Sequence, residues 1–255
     1  MGISVLKNVK TYYRGHDLSG DMNNCTLTNS VELLDRTCFG STFRKRKSGL
    51  KDYEVSMSGY WNTSGGRAGN TYGKIDPIAH TAIGGSSDVL SVLPDGTGLG
   101  NIAYFGKSVA GEYSPSGSIG ELFAYNFTAY GDGNLLRGKV MEAGILTTES
   151  DDHIRAFGAA STLKNLYAAV HVLGTSQGAA GASVKIKIQR STTTDFAVVD
   201  STCMTFILTT ADSGQGRFGT TKVESSGTAY SYRAHTSQLG SSDKKFNVRI
   251  ILSQQ

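Results

Sequence analysis

Histidines are the residues that most often carry acid–base or metal chemistry, and in this chain they are scattered. No HExxH or His-x-x-x-His pair occurs, so the sequence contains no metal motif. The densest ionisable cluster, Asp151-Asp152-His153, is typical of a solvated turn in a linker. His171 lies inside an apolar segment, which indicates a core or interface histidine and not a base. The five histidines are His16, His80, His153, His171 and His235.

The run Gly214–Gly219 matches the dinucleotide-binding pattern GxGxxG by letter. That chemistry requires a strand before the glycines and a helix N-terminus after them. Here strand-like sequence follows and no βαβ pattern surrounds the run, so we do not expect a dinucleotide site. Since no nucleophile can be paired with a base either, the sequence predicts neither an enzyme nor a bound cofactor or metal.

Three cysteines, Cys25, Cys38 and Cys203, are odd in number and far apart. They form no CxxC pair, so neither a zinc site nor a disulfide framework is indicated. We expect reduced, buried thiols and synthesis in a reducing cytoplasm.

The sharpest charge feature is the basic run Arg44, Lys45, Arg46 and Lys47. One interpretation is a nuclear-targeting or nucleic-acid patch. The other is a flexible loop whose charges meet acidic residues on a neighbouring subunit, and the strand signals on both sides favour it. The net charge of +4 is modest and the other cations are dispersed, which is not typical of a dedicated nucleic-acid binder.

The elements that position these residues are predicted to be strands. Glycine is abundant at 32 residues and proline scarce at 3, while apolar residues recur in every segment. In Lys51–Trp61, period-two alternation predicts a strand with Tyr53, Val55 and Met57 buried and a wet opposite face. Asp76-Pro77 predicts the start of one short helix, which Gly84-Gly85 ends. No apolar run approaches the roughly 20 residues of a membrane span, so no membrane partner is expected.

Further strands are predicted along the rest of the chain. Leu166–Leu173 is apolar apart from His171, as expected of a strand that is covered on both faces. The three prolines all fall outside the predicted strands, which leaves the sheet edges unprotected and favours self-association. The remaining strands are predicted at Val89–Leu93, Ile102–Phe105, Glu121–Ala129, Arg137–Leu146, Val184–Ile188, Thr202–Thr209, Ala229–Arg233 and Phe246–Leu252.

A weak echo links the two halves of the chain. Phe39-Gly40 precedes one strand and Phe157-Gly158 precedes another in a similar way. We therefore predict a β domain over residues 1–148 and a second β-sandwich domain over 149–255. The second domain is either a repeat of the first or an unrelated sandwich.

Three segments carry a resemblance to a known family. They are Gly15-His16-Asp17-Leu18-Ser19-Gly20, Glu32-Leu33-Leu34-Asp35-Arg36-Thr37-Cys38-Phe39-Gly40-Ser41 and Gly49-Leu50-Lys51-Asp52-Tyr53-Glu54-Val55-Ser56-Met57-Ser58-Gly59-Tyr60-Trp61. Together they resemble tailed-bacteriophage tail-tube proteins, in which an acidic-Thr-x-Phe-Gly segment leads a long loop and a GLKD turn starts a strand. The resemblance covers roughly residues 10–140.

The resemblance implies an all-β antiparallel sandwich or barrel of tail-tube type, whose sheets join between subunits into a closed ring. The loop around Arg44–Lys47 would dock on the adjacent ring, and stacked rings would form a conduit that DNA passes without tight binding. The implied partners are copies of the chain and other virion proteins. Three copies would close a ring if both halves are tube-like and six if only the first is. The implied location is the virion, after synthesis in the host bacterial cytoplasm.

Two alternatives remain open. The first is a capsid-decoration or other accessory virion protein, which would use the sandwich to bind a shell. The second is a carbohydrate-binding module, for which glycine-rich sandwiches are common. Such a module is expected to carry several aromatic residues on one exposed face, and this sequence offers only Trp61 and scattered tyrosines for that purpose.

Overall fold

The part of the chain that the structure describes folds into antiparallel strands with one short α-helix, as the sequence predicts. The structure is a computed structural model that describes residues 8–61, 75–146, 155–159, 164–175, 183–193, 196, 198–223, 229–239 and 246–255. Its strands are β1 (Lys10–Tyr13), β2 (His16–Asp17), β3 (Met22–Asp35), β4 (Arg46–Tyr60), β5 (Asp88–Leu93), β6 (Ile102–Ser116), β7 (Ala124–Gly131), β8 (Leu136–Leu146), β9 (Arg155–Ala159), β10 (Lys164–Thr175), β11 (Ser183–Ser191), β12 (Ser201–Thr209), β13 (Gln215–Val223), β14 (Ala229–Leu239) and β15 (Phe246–Gln254).

The helix α1 spans Ile75–Ala82 and begins one residue before the predicted start. Pro77 lies in the first turn, where a missing backbone N–H costs no hydrogen bond. Gly84 follows the helix with φ +70°, a left-handed conformation that glycine adopts without strain. The apolar face of the helix, which includes Ile75 and Ile78, is buried.

Strand β6 is shared by two sheet regions and organises the fold. Its first part pairs with β8 and β5, and its second part, from Ser108, pairs with β7. One region continues through β7 to β4 and β3. The other is a long path in the order β13-β10-β15-β8-β6-β5-β1-β2, and a separate sheet has the order β12-β11-β14-β9.

The long path curls around a core of its own. Tyr12, Val89, Phe105, Leu136 and Ile251 are all buried there. Outside the curl, a second core contains Val55, Met57 and Phe127 under β4, β7 and α1. A third core lies between β8, β10 and β15 and the separate sheet. The side chains of β10 alternate between the third core and the curled one, which confirms the prediction of a strand covered on both faces.

Several sequence predictions need correction. Glu121, Leu122 and Phe123 lie in a loop, and β7 begins only at Ala124. Pro115 lies inside β6, although no strand was predicted to contain proline. Among the described strands, the second part of β6 pairs with β7 alone and is therefore an edge, which is where proline is tolerated in a sheet.

Strands from the two halves of the chain share one sheet, because β8 pairs with β15 from Leu146 to Lys139. The proposed division near residue 148 lies outside the described residues, as does Asp151-Asp152-His153. The division and the internal repeat stay predictions.

Candidate functional site

The most exposed element of the described chain is the hairpin of β3 and β4. These strands pair with each other as far as Asp35 and Arg46, but β4 pairs with β7 only from Glu54 onward. We call residues 28–52 the arm. Every residue of the arm is exposed except Ser41 and Gly49, which are half-buried. At about 3.3 Å per residue, β4 extends roughly 26 Å from the end of its pairing with β7 to Arg46.

A side-chain clasp closes the arm tip, which we define as residues 36–47. The Asp35 carboxylate accepts hydrogen bonds from the Thr37 N–H at 2.8 Å and the Thr37 hydroxyl at 2.6 Å. The Thr37 oxygen in turn accepts the Lys45 N–H at 3.0 Å. These bonds to Thr37 lower the pKa of Asp35. Gly40, with φ +86°, turns the chain beyond the clasp.

The basic run lies across the junction between the tip loop and β4. Arg44 and Lys45 end the loop, whereas Arg46 and Lys47 are the first residues of β4. Gly49 lies within strand β4. A Cβ there would meet the Glu32 carboxylate at 2.6 Å, so the glycine lets this side chain cross the hairpin.

The arm tip combines positive charge with exposed aromatic rings. Residues 36–47 contain five cations and no acidic residue. Phe39 and Phe43 are 111% and 82% exposed, respectively. Cys38 also lies here and is exposed, which corrects the prediction of buried thiols, since the arm tip has no core beneath it. Cys25 and Cys203 are half-buried, and burial raises the pKa of both thiols.

A second exposed apolar surface lies at the opposite end of β4, and sequence reasoning missed it. We call residues 117–123 the loop patch. It contains Ile119, Leu122 and Phe123, which are 107%, 72% and 43% exposed. Its large apolar residues are visible in the sequence, close to several glycines. The sequence analysis, however, assigned Glu121–Phe123 to the strand that follows, so the exposed loop was not recognised.

The loop patch is held by Trp61. The Trp61 N–H donates to the Phe123 carbonyl at 2.9 Å, and the two rings meet edge to face at 5.2 Å. The Trp61 Nε1 donates to the Asp76 carboxylate of α1 at 3.0 Å, and the Tyr113 hydroxyl donates to the same oxygen at 2.9 Å. Trp61 therefore anchors the loop to the helix.

His171 lies fully buried inside the curled sheet, as a core histidine. Its Nε2 is 2.7 Å from the Ser91 hydroxyl, while its Nδ1 has no hydrogen-bond partner among the described residues. Burial, followed by the charge of Arg249 and by His16, lowers the pKa of His171 to about 3. The imidazole is therefore neutral near pH 7 and has no contact with solvent, so it has no means of meeting a substrate.

The glycines of Gly214–Gly219 have a packing role. A Cβ at Gly214 would meet His16 at 2.8 Å, one at Gly216 would meet Val89 at 2.8 Å, and one at Gly219 would meet Phe206 at 2.8 Å. The run leads into strand β13 and not into a helix, as predicted. These glycines allow β13 to approach three neighbouring elements closely.

Neither metal nor membrane features are found in the described part of the chain. No group of three or more His, Cys, Asp or Glu side chains is placed to hold a metal ion there. None of the helices in that part has the length and apolar character needed to cross a bilayer.

No protein-family model matches the chain, and no curated protein matches it. Among solved structures, a chain from the virion of a native gene transfer agent (GTA) particle is similar at 15% identity and TM-score 0.41, over 52% of this chain and 97% of that one. A chain from the tail of the empty GTA particle has 18% identity and TM-score 0.37, over 50% and 92%. The SPP1 Dit (gp 19.1) protein, described as a hub adsorption apparatus of phages that infect Gram-positive hosts, has 10% identity and TM-score 0.38, over 98% and 100%.

Proposed function

We propose that this chain is a structural virion protein that assembles with its own copies into stacked rings of a phage tail tube. The observation that carries the proposal is the arm, whose residues 28–52 lie outside the cores. Its tip, residues 36–47, exposes two phenylalanine rings beside five cations. Exposed apolar rings are costly to leave in water, and such a surface is typical of a protein-binding site. The segment Asp35–Gly40, on which the family resemblance partly rests, forms the clasp and turn of this arm.

Copies of the chain join side by side through strand edges to close each ring, and the arm contacts the next ring. Three copies form a ring if both halves of the chain are tube-like, and six if only the first half is. DNA passes through the ring without tight binding, in keeping with the net charge of +4. The protein then belongs to the virion and is made in the host bacterial cytoplasm.

Electron microscopy of the purified protein tests the proposal, with rings or tubes as the expected result. Native mass spectrometry of the same sample distinguishes three from six copies. Replacing Arg44, Lys45, Arg46 and Lys47 by Ser should leave the monomer folded and weaken assembly. At roughly 0.5 kcal/mol for each exposed ion pair, four pairs correspond to about a 30-fold weaker contact, with a smaller salt dependence.

A control replaces Lys185 and Lys187 by Ser, which removes two cations from strand β11 outside the arm. This variant should assemble like the unmodified protein. A stable monomer at high concentration and near-physiological salt would contradict the tube proposal. It would leave a capsid-decoration or other accessory virion protein as the alternative.

A further inference from the structure

The arm tip and the loop patch lie at opposite ends of the same strand. β4 begins at Arg46, beside the tip, and ends at Tyr60, which pairs with Ala124 immediately after the loop patch. At about 3.3 Å per residue, the strand separates the two surfaces by roughly 46 Å. The arm tip of a chain therefore cannot reach the loop patch of the same chain.

Both surfaces present exposed apolar side chains. Phe39 and Phe43 project from the tip at 111% and 82% exposure. Ile119 and Leu122 project from the loop patch at 107% and 72%. Burying such side chains against one another removes apolar area from water at both surfaces.

Their charges are opposite in sign. Residues 36–47 of the tip carry five cations and no acidic residue. Residues 111–131, which include the loop patch and the strand segments beside it, carry Glu112 and Glu121 and no cation. Both glutamates are exposed. Opposite charge steers the two surfaces together and disfavours contacts between two tips.

We infer that the loop patch of one copy receives the arm tip of the next copy. Each chain carries both halves of the contact, so a second copy of the chain supplies the occupant without any other protein. The contact is head-to-tail, and a head-to-tail contact along one axis repeats without closing. This inference rests on the proposed function, since it names the axial contact between stacked rings.

Cross-linking tests the contact directly, because Cys38 is exposed at the arm tip. The exposed Leu122 is replaced by Cys, and the assembled full-length protein is treated with a short bis-maleimide, which joins two thiols as thioethers. We expect a ladder of covalent dimers and higher species between copies. The additional change Cys38→Ser should abolish the ladder.

A second control places the cysteine elsewhere, as Val198→Cys, at a side chain that is 65% exposed and outside the loop patch. It should give no ladder above that of the unmodified protein. Tubes that form without a ladder specific to Leu122→Cys would overturn the inference and leave the proposed function standing. A protein that forms no assembly in microscopy would overturn the proposed function and this contact with it.

Discussion

The two ends of strand β4 show how one backbone ladder serves two different purposes. From Tyr53 to Gly59, alternate residues are buried in the core under β7 and α1. Over almost all of this stretch the strand is paired on both sides, with β3 and with β7. From Arg46 to Asp52 the hydrogen bonding to β3 continues, but the side chains lie in solvent. Pairing alone therefore extends the strand, whereas burial stabilises only its inner half.

The largest expected effect is a loss of the free energy of unfolding at acidic pH, through the buried residue His171. His171 has a folded-state pKa near 3, below its ordinary value of 6.5. The unfolded chain therefore takes up the proton first, and the stability that the neutral ring contributes is complete above pH 6.5. It is lost as the pH falls towards 3, at about 1.4 kcal/mol per pH unit. Denaturant unfolding at several pH values measures this slope.

The variant His171→Gln has no imidazole to protonate at this position. Below pH 6.5, its free energy of unfolding should therefore fall less steeply with decreasing pH than that of the unmodified protein. His80→Gln, at an exposed position on α1, serves as the control for replacing a histidine by glutamine. Carboxyl groups titrate in all three proteins, so only the difference between them is informative. Equal slopes for His171→Gln and the unmodified protein would contradict the buried, neutral state.

A matched pair of truncations along β4 has the next largest effect. Met57 is 2% exposed and Leu50 is 81% exposed on the same strand. Met57→Ala should lower the free energy of unfolding by about 3 kcal/mol, because it opens a cavity in the core. Leu50→Ala should change it by less than about 0.5 kcal/mol. Similar losses in the two variants, measured by denaturant unfolding, would mean that the arm is packed in the free monomer.

Much of the buried part of the molecule, which includes the Tyr53–Gly59 half of β4, was predictable from the sequence. Alternation around Val55 identified the buried face, and Asp76-Pro77 identified the helix. These signals are local, since each depends on a few neighbouring residues. The curl that brings β13 against β5 depends on contacts between distant segments. The glycines that allow it were visible in the sequence only as a false dinucleotide motif.

The two exposed surfaces, the arm and the loop patch, were less predictable. Arg46 and Lys47 show no apolar alternation, so nothing local distinguishes a strand from a loop where no core lies beneath. The loop patch was missed for the opposite reason, because its apolar residues matched the pattern of a strand. Sequence patterns report burial, and both surfaces are exposed.

The smallest expected effect concerns the clasp. Thr37→Ala removes the acceptor of the Lys45 N–H, so this amide should exchange its hydrogen faster with solvent. The free energy of unfolding should hardly change, because the clasp lies outside the cores. Hydrogen exchange followed by NMR provides the measurement, and Thr42→Ala, an exposed change in the same loop, is the control. If Thr37→Ala lowered the free energy of unfolding as much as Met57→Ala does, the clasp would unfold together with the cores, which would contradict this expectation.

The continuity of β4 also has a mechanical consequence. A pull on the arm tip, directed along the strand, enters the body through the pairing of β4 with β7 from Glu54 to Tyr60. Those residue pairs carry the load in shear, all at once, and do not open one after another as in a zipper. Tension applied at the exposed end is thereby spread over a whole ladder whose side chains are already anchored in a core.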